Sequence, residues 1–253
     1  MNPERTRKTK ITAFAPVIFM VLGICLFIWV LSLLGQNTRY FVFWGDSINV
    51  TAADLANAAV RSTAHFNWIF IALFAIVVYI YLSEIKQKNY KGIVAALSLY
   101  GIHWLYEIAN AVIQSVFGYA LWTVSPESTS FILLVGVSWE LSMMFSVAGL
   151  AMSKLLPEDP KKRILGVNNR VFFAILNAAF FAIFEIFLAG TPAFLWVYPW
   201  WGAIPVFLTT YIPFFLGAFL THDASPQKQK RFLVIVWGAV AILLAVLIPL
   251  RII

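Results

Sequence analysis

The chain has 253 residues, of which 62% are hydrophobic and only 11% are charged. A typical soluble domain carries about a quarter charged residues, and a core of this size cannot hide 23 Phe and 10 Trp from water. The composition therefore excludes a water-soluble domain and predicts a surface that faces lipid. The single cysteine, Cys25, also excludes a disulfide framework and paired-cysteine metal or redox motifs.

Seven apolar runs are each long enough to cross a hydrocarbon core about 30 Å thick, which takes about 20 helical residues. In chain order they cover residues 13–34, 64–83, 92–116, 130–153, 170–189, 196–220 and 231–250. The first run is too long for the apolar part of a signal peptide, so we expect it to be retained. The sequence predicts an all-α polytopic membrane protein, a single bundle of seven transmembrane helices over residues 1–253.

The basic residues predict the orientation of this bundle, because positive residues in short loops stay on the cytoplasmic side. With the N-terminus in the cytoplasm and the C-terminus outside, only Arg39, Arg61 and Arg251 lie outside. The other 15 of the 18 basic residues are then cytoplasmic, namely Arg5, Arg7, Lys8, Lys10, Lys86, Lys88, Lys91, Lys154, Lys161, Lys162, Arg163, Arg170, Lys228, Lys230 and Arg231. The net charge of +7 therefore reflects topology and contact with anionic lipid, not nucleic-acid binding. We expect a multi-pass protein of the plasma membrane.

The third apolar run carries a polar stripe. His103, Glu107, Asn110 and Gln114 follow one another at i, i+4, i+7 and i+11, which places them on one face of a helix. Because hydrogen-bonding groups of this kind cannot face lipid, we expect this helix at the centre of the bundle, with the stripe toward a polar cavity.

Two further glutamates, Glu140 and Glu185, lie inside apolar runs, where ionisable groups are costly and usually mark function. A rise of about 1.5 Å per residue puts His103 and Glu140 near the membrane midplane. The same count puts Glu107 and Glu185 in the outer half. The sequence therefore predicts that these groups converge from several helices.

A buried carboxylic acid can stay protonated at neutral pH, because a low-dielectric site disfavours its charged form. Such a group can donate a proton to an alkene, ether or carbonyl. We interpret Glu107 and Glu140 as the catalytic acid and base, with His103 as the other candidate base. The sequence thus predicts a membrane-embedded enzyme that acts on a lipid-soluble small molecule such as an isoprenoid or another lipid.

Other side chains are candidates for holding that substrate. In the sixth run Pro199, Pro205 and Pro213 are each expected to free a carbonyl four residues earlier in a helix, and an aromatic stretch precedes them. Asn67 follows His65 at the start of the second run, near the outer boundary. The candidate substrate-binding residues are Asn110, Asn67, Glu185, Tyr211 and Trp201.

A metal cofactor is a further option, because His103 and Glu107 at i, i+4 can bind one ion from one helix face. Glu140 and Glu185 complete a candidate ligand set resembling the carboxylate sites of helical bundles. With one midplane histidine, the chain departs from those sites, which use Glu-x-x-His on two helices. The sequence therefore leaves the cofactor unknown.

Two other functions fit the same residues. A buried glutamate that is reversibly protonated suits a small proton- or cation-coupled transporter. A non-catalytic subunit of a membrane complex would use the stripe, and a contact between Glu185 and Asn177, for packing alone, and homo-oligomers are equally open. An enzyme should have a cavity open sideways to lipid, a transporter a water path to both faces, and a subunit a stripe covered by a partner chain.

Overall fold

The computed structural model describes residues 3–35, 41–45, 50–64 and 66–253. Arg39 and His65 lie outside the described residues. The helices are α1 (Pro3–Gly35), α2 (Val50–Ala58), α3 (Phe70–Lys86), α4 (Tyr90–Phe117), α5 (Trp139–Ser153), α6 (Asn169–Ala189), α7 (Ala203–Val206), α8 (Ile212–His222) and α9 (Pro226–Leu247). A π-helical turn, Phe207–Tyr211, joins α7 to α8, so that the two form one continuous helical segment.

Within the described residues, five helical segments are long and apolar enough to cross a membrane, namely Phe14–Gly35, Tyr90–Phe117, Asn169–Ala189, Ala203–His222 and Pro226–Leu247. The remaining two apolar runs also contain helices, α3 and α5, but these have only 17 and 15 residues. Both are shorter than the roughly 20 residues that a straight crossing needs. The protein is thus a mostly helical integral membrane protein with five candidate spans.

Three short antiparallel strand pairs connect the helices: β1 (Trp122–Val124) with β6 (Phe194–Trp196), β2 (Ile132–Leu134) with β3 (Val137–Ser138), and β4 (Arg163–Ile164) with β5 (Val167–Asn168). The prediction of a purely helical chain is therefore wrong in the connections. The run 130–153 begins with the β2–β3 hairpin, and its helix begins only at Trp139. A short apolar stretch fits a buried strand as well as a helix, which is why periodicity did not reveal the hairpin.

Two other helix starts differ from prediction for a related reason. The second run becomes helical at Phe70 rather than at 64, and the sixth at Ala203 rather than at 196. Pro199 consequently lies in a turn before the sixth helix and does not kink it. In both places aromatic residues continue the apolar run beyond the end of the helix.

Helix α4 lies at the centre of the bundle and packs against α5, α8 and α9. Its contact face toward α5 is built from small residues, and Ala95 and Ala96 are fully buried. A Cβ added to Gly149 of α5 would lie 2.5 Å from the carbonyl oxygen of Ala95. The two backbones therefore approach closely, as small residues permit in membrane helices.

Ion pairs join the helices at the end of the bundle that carries the loop 154–169. Glu84 of α3 pairs with Lys154 and accepts a hydrogen bond of 2.7 Å from Asn89. Arg170 of α6 binds both carboxylate oxygens of Asp223, at 2.5 and 3.1 Å. These contacts fasten α3 to the loop after α5, and α6 to the end of α8.

Large apolar side chains are exposed on the outside of the bundle. Phe19 of α1 is 73% exposed and Ile242 of α9 is 66% exposed. Exposed apolar area on this scale is unfavourable in water and natural in lipid.

Candidate functional site

The polar stripe of α4 faces the interior of the bundle, as its spacing predicted. His103, Glu107 and Asn110 are exposed by only 2%, 4% and 1%. Gln114 is half-buried and lines a separate cavity beside Arg61. Three of the four stripe residues thus lie in the core, whereas the fourth lies at the end of the helix.

A small interior cavity adjoins the stripe. Its volume is about 40 Å³, which is room for one or two water molecules. Most of its wall is apolar, and Phe145, Phe181 and Phe214 are among the lining residues. The polar and ionisable residues that line it come from α4, α6 and the π-helical turn: His103, Glu107, Glu185, Thr210 and Tyr211.

Glu107 is held by an indole rather than by a cation. Nε1 of Trp122 donates to both carboxylate oxygens, each at 3.3 Å. Nε2 of His103 lies 3.3 Å from Oε1 of Glu107, but its orientation makes no hydrogen bond. Neither ring nitrogen of His103 has a hydrogen-bond partner among the described residues.

Aromatic rings fix the plane of His103. Its ring stacks on Phe145 with the centroids 4.1 Å apart and the planes at 21°. Phe214 meets the imidazole edge-on at 6.1 Å. These contacts orient the histidine without using its nitrogens.

Glu185 has one bonded and one unbonded carboxylate oxygen. Nε1 of Trp196 donates to Oε1 at 3.0 Å, whereas Oε2 is buried and has no hydrogen-bond partner in the described part of the chain. Glu185 interacts electrostatically with Glu107 and with the hydroxyl of Tyr211. Asn177 donates instead to the carbonyl of Phe173 at 2.8 Å, so the predicted packing contact between Asn177 and Glu185 is wrong.

The two indoles belong to a single strand pair. In the β1–β6 ladder Trp122 lies directly opposite Trp196. The turn of the β2–β3 hairpin closes over the same place, because a Cβ on Gly136 would lie 2.4 Å from Nε1 of Trp122 and 2.6 Å from Oε2 of Glu107. Only a residue without a side chain leaves this space free.

Two prolines lie in the sixth helix. Without an amide hydrogen, Pro213 cannot bond the carbonyl of Thr209, and the hydroxyl of Tyr106 donates to that carbonyl at 2.7 Å. Pro205 lies in the first turn, which begins at Ala203, where a helix amide has no intrahelical partner to lose; the predicted loss of a hydrogen bond is therefore wrong there. The π-helical turn between the prolines carries Tyr211 into the cavity, and π-helical turns are frequent at functional sites.

Glu140 lies elsewhere than predicted. It occupies the first turn of α5, because residues 132–138 form the hairpin, and it does not lie in the middle of a helix over the whole run 130–153, on which its predicted depth depended. Oε1 accepts from the backbone and hydroxyl of Ser130, and Oε2 is buried without a partner among the described residues.

Glu140 lines a second cavity of about 190 Å³. This cavity shares five wall residues with the first, namely Leu141, Met144, Phe184, Leu188 and Phe194. Glu140 therefore lies next to the Glu107 cavity and not within it.

The remaining predicted substrate-binding residues have structural contacts. Asn110 donates to the carbonyl of Trp122 at 2.9 Å and accepts from the amide of Leu121 at 2.8 Å, so both its polar atoms hold the start of β1. Asn67 is exposed and accepts from the amide of Ile69. The indole of Trp201 stacks on Trp122 at 5.9 Å, behind the first cavity.

The predicted metal set does not come together. Among the described residues, no three His, Cys, Asp or Glu side chains are grouped so that they could hold a metal ion. His103, Glu107 and Glu185 share the first cavity, whereas Glu140 lines the second. No step of the chemistry below is therefore assigned to a metal.

Three residues of the site were missed by the sequence reasoning: Trp122, Trp196 and Gly136. In the sequence, Trp122 is an isolated aromatic between two runs, and Trp196 is one of several in an aromatic stretch. Only the strand pairing shows that each lies against a glutamate, and no local pattern signals this.

Comparison with known proteins places the chain in a family of membrane proteins. A family model described as an uncharacterized membrane protein family matches residues 50–249. The chain belongs to this family. An uncharacterized protein of Archaeoglobus fulgidus is 41% identical over 182 residues, which cover 71% of this chain and 86% of the archaeal protein. No solved structure matches.

Proposed function

We propose that this family member is a membrane-embedded enzyme that performs acid/base chemistry on a lipid-soluble small molecule, such as an isoprenoid or another lipid. One observation carries the proposal: Phe184 lines both the Glu107 cavity and the Glu140 cavity, while 53% of its surface is exposed on the outside of α6. Phe184 is thus one of the side chains that lie between the two cavities and the outside of the bundle. Rotation of Phe184 opens a sideways path of the kind that a lipid-soluble substrate needs.

Glu107, Glu185 and His103 have the proposed catalytic roles. Glu107 and Glu185 line the same mostly apolar cavity, and Oε2 of Glu185 is buried without a hydrogen-bond partner among the described residues. In this scheme Glu185 donates the proton of its carboxyl group to the substrate, and His103 beside Glu107 accepts one from the resulting cation or from an attacking water molecule.

Glu140 and Tyr211 have supporting roles in the proposal. The cavity of about 190 Å³ that Glu140 lines is the larger of the two, and it accommodates the part of the substrate that does not react. Tyr211, beside Glu185, orients the carboxyl proton. The two catalytic carboxyl groups in this proposal are therefore Glu107 and Glu185, whereas the sequence predicted Glu107 and Glu140.

The two alternatives have less support. A transporter needs a water path beyond His103, and the rings of Phe145 and Phe214 cover that histidine. A packing subunit needs a partner chain over the stripe, whereas here the chain's own hairpin, at Gly136, covers it.

The decisive experiment compares membrane lipids from cells that express the wild type, Glu107→Gln or Glu185→Gln. We expect a lipid-soluble product that depends on the wild-type chain and is lost in both variants. Glu127→Gln is the matched control, because Glu127 is exposed in a loop and should leave the product unchanged. If both glutamine variants produce the same lipids as the wild type, the enzyme proposal fails.

A reconstituted assay separates the enzyme from the transporter. Vesicles that contain the purified protein and an internal pH indicator should show no proton movement that depends on Glu107. Proton movement that Glu107→Gln abolishes would support the transporter instead.

We also propose that all seven helical runs cross the plasma membrane, with the N-terminus in the cytoplasm and the C-terminus outside, and with the short helices α3 and α5 completed by aromatic and hairpin residues at one end. Single cysteines introduced at Glu127 and at Lys161, in a Cys25→Ser background, test this orientation. A membrane-impermeant maleimide should label position 127 in intact cells and label position 161 only after the cells are opened. The reverse pattern would invert the proposed topology.

A further inference from the structure

A third cavity, the one beside Arg61, lies away from the Glu107 cavity, where α4 and α9 end. Its volume is about 380 Å³, several times that of the cavity at Glu107. Two of its lining residues are Arg61 and Arg251, and none of the acidic side chains in the described ranges lines it. The other polar side chains of its wall are Asn57, Gln114 and Ser115. The cavity therefore combines net positive charge with neutral hydrogen-bonding groups.

Most of these polar side chains have no partner in the described part of the chain. The guanidinium of Arg251 makes no hydrogen bond or ion pair there, and neither do the side chains of Asn57, Gln114 and Ser115. Arg61 differs, because it donates to the carbonyl of Leu133 at 3.3 Å and to the main-chain oxygen of Ile253, the last residue described, at 3.0 Å. These two bonds leave its remaining N–H groups available. A cavity lined by unpaired donors is a ready site for an anion.

Arg251 ends the last helix in the left-handed conformation, with φ of 55°. Its amide donates to the carbonyl of Ile248 at 2.9 Å, and the amide of Ile252 donates to the carbonyl of Leu247 at 3.0 Å. This is the Schellman pattern of hydrogen bonds at a helix C-terminus. The local fold therefore fixes the position of Arg251 in the cavity wall.

Apolar surface adjoins the charged cavity. Val116 and Phe117, in the last turn of α4, are 67% and 71% exposed, and Leu250 on the other side is 63% exposed. The candidate spans Tyr90–Phe117 and Pro226–Leu247 both end here, which is the depth of lipid headgroups. Arginines beside exposed apolar residues match an amphiphile with an anionic head and hydrocarbon tails.

We propose that this cavity binds a phosphate group, held between Arg61 and Arg251, and that its surroundings favour the headgroup of an anionic phospholipid as the source. Each guanidinium can donate two parallel hydrogen bonds to phosphate oxygens, and the amides and the hydroxyl of the wall complete the shell. The site is separate from the chemistry proposed at Glu107 and does not depend on it.

The test measures phospholipid binding to the full-length chain, purified in detergent and stripped of lipid, by native mass spectrometry. Dioleoyl phosphatidylglycerol should bind more tightly than the zwitterionic dioleoyl phosphatidylcholine. Arg251→Gln should weaken phosphatidylglycerol binding about ten-fold, the loss expected for a charge-assisted hydrogen-bonded contact. Arg251→Lys keeps the charge but not the fork of donors, so it should weaken binding less.

The matched control is Arg231→Gln, which removes an exposed arginine near the other end of α9 and should bind as the wild type does. Because the guanidinium of Arg251 has no partner among the described residues, its replacement should leave thermal unfolding unchanged, which separates loss of binding from loss of structure. Unchanged phosphatidylglycerol binding in Arg251→Gln overturns the proposal, as does an equal loss in Arg231→Gln.

Inorganic phosphate distinguishes the two sources of the anion. If millimolar phosphate displaces phosphatidylglycerol in the wild type and binds without lipid, the site takes free phosphate. If only the lipid binds, the headgroup is the ligand. Equal affinity for phosphatidylglycerol and phosphatidylcholine, without phosphate binding, would overturn the proposal.

Discussion

Trp122 and Trp196 are direct partners across the β1–β6 strand pair, and each donates its indole hydrogen to a different buried glutamate, Trp122 to Glu107 and Trp196 to Glu185. The two carboxyl groups come from α4 and α6, which are separated by some fifty residues of intervening chain. One pair of strands thus fixes the positions of two carboxyl groups in a single cavity. An indole thus donates a hydrogen bond to each carboxyl group without bringing a positive charge beside it.

Removing either indole donor should destabilise the protein. Trp122→Phe and Trp196→Phe each leave a buried carboxylate oxygen without a partner, which costs about 1–3 kcal/mol. We expect a lower midpoint of thermal unfolding in detergent micelles for both. Trp200→Phe is the control, because Trp200 is 60% exposed. A drop of the same size in that variant would mean that the smaller ring, and not the lost hydrogen bond, causes the change in stability.

Gly136→Ala should disturb the site through lack of space. The added methyl group would lie 2.4–2.6 Å from polar atoms of Trp122, Asn110 and Glu107, and overfilling a packed site costs about 1–3 kcal/mol. We expect lower stability together with loss of the lipid product proposed above. Gly238→Ala in α9, which meets nothing within 4 Å, should have neither effect, and wild-type behaviour of Gly136→Ala would show that the hairpin moves freely away from Glu107.

Stability should fall in acid because of Asp223. Burial raises the pKa of Asp223, but hydrogen bonds and charge from Arg170 and His222 outweigh burial and hold the pKa below its ordinary value. A carboxyl group with a lowered pKa in the folded state contributes stability above its unfolded pKa of about 3.9, and this contribution is lost as the pH falls through the folded pKa.

Asp223→Asn should remove this acid dependence. At pH 7 we expect it to lose about 3 kcal/mol, since it leaves the buried guanidinium of Arg170 without its charge partner. The control, Glu158→Gln, removes an exposed loop carboxylate and should keep the wild-type pH profile of thermal unfolding. If the midpoint of thermal unfolding falls as steeply below pH 4 in Asp223→Asn as in the wild type, Asp223 is not the cause of the acid dependence.

Tyr106 and Pro213 should be energetically coupled. Tyr106→Phe removes the donor to the Thr209 carbonyl, which Pro213 leaves without an amide partner, at a cost of about 1 kcal/mol. In a Pro213→Ala background the new amide can bond that carbonyl, so the same substitution should cost less. A double-mutant cycle of thermal unfolding measures the difference; strictly additive effects would rule out the proposed replacement of one donor by the other.

Much of the architecture was predictable because lipid imposes strong rules on sequence. Every apolar run contains a helix, and the spacing of His103, Glu107 and Asn110 correctly identified α4 as a central helix with its polar face inward. The expectation that a proline frees a helix carbonyl four residues earlier is confirmed at Pro213, where the Thr209 carbonyl accepts from Tyr106, and is wrong at Pro205, which lies in the first turn of the helix. These successes share one cause: helical periodicity and proline chemistry are local, so the residues concerned are close in sequence.

What the sequence by itself determined is the class of the protein, its helical segments and the inward face of α4, because burial in lipid allows no other place for polar groups. The tertiary structure decided which carboxyl groups meet. It placed Glu185 beside Glu107, moved Glu140 to the first turn of α5 and gave Asn110 to the backbone of β1. The physical reason is that depth along a helix axis sets only one coordinate, whereas the meeting of side chains depends on short strands and a hairpin, whose pairing no local pattern in this chain encodes.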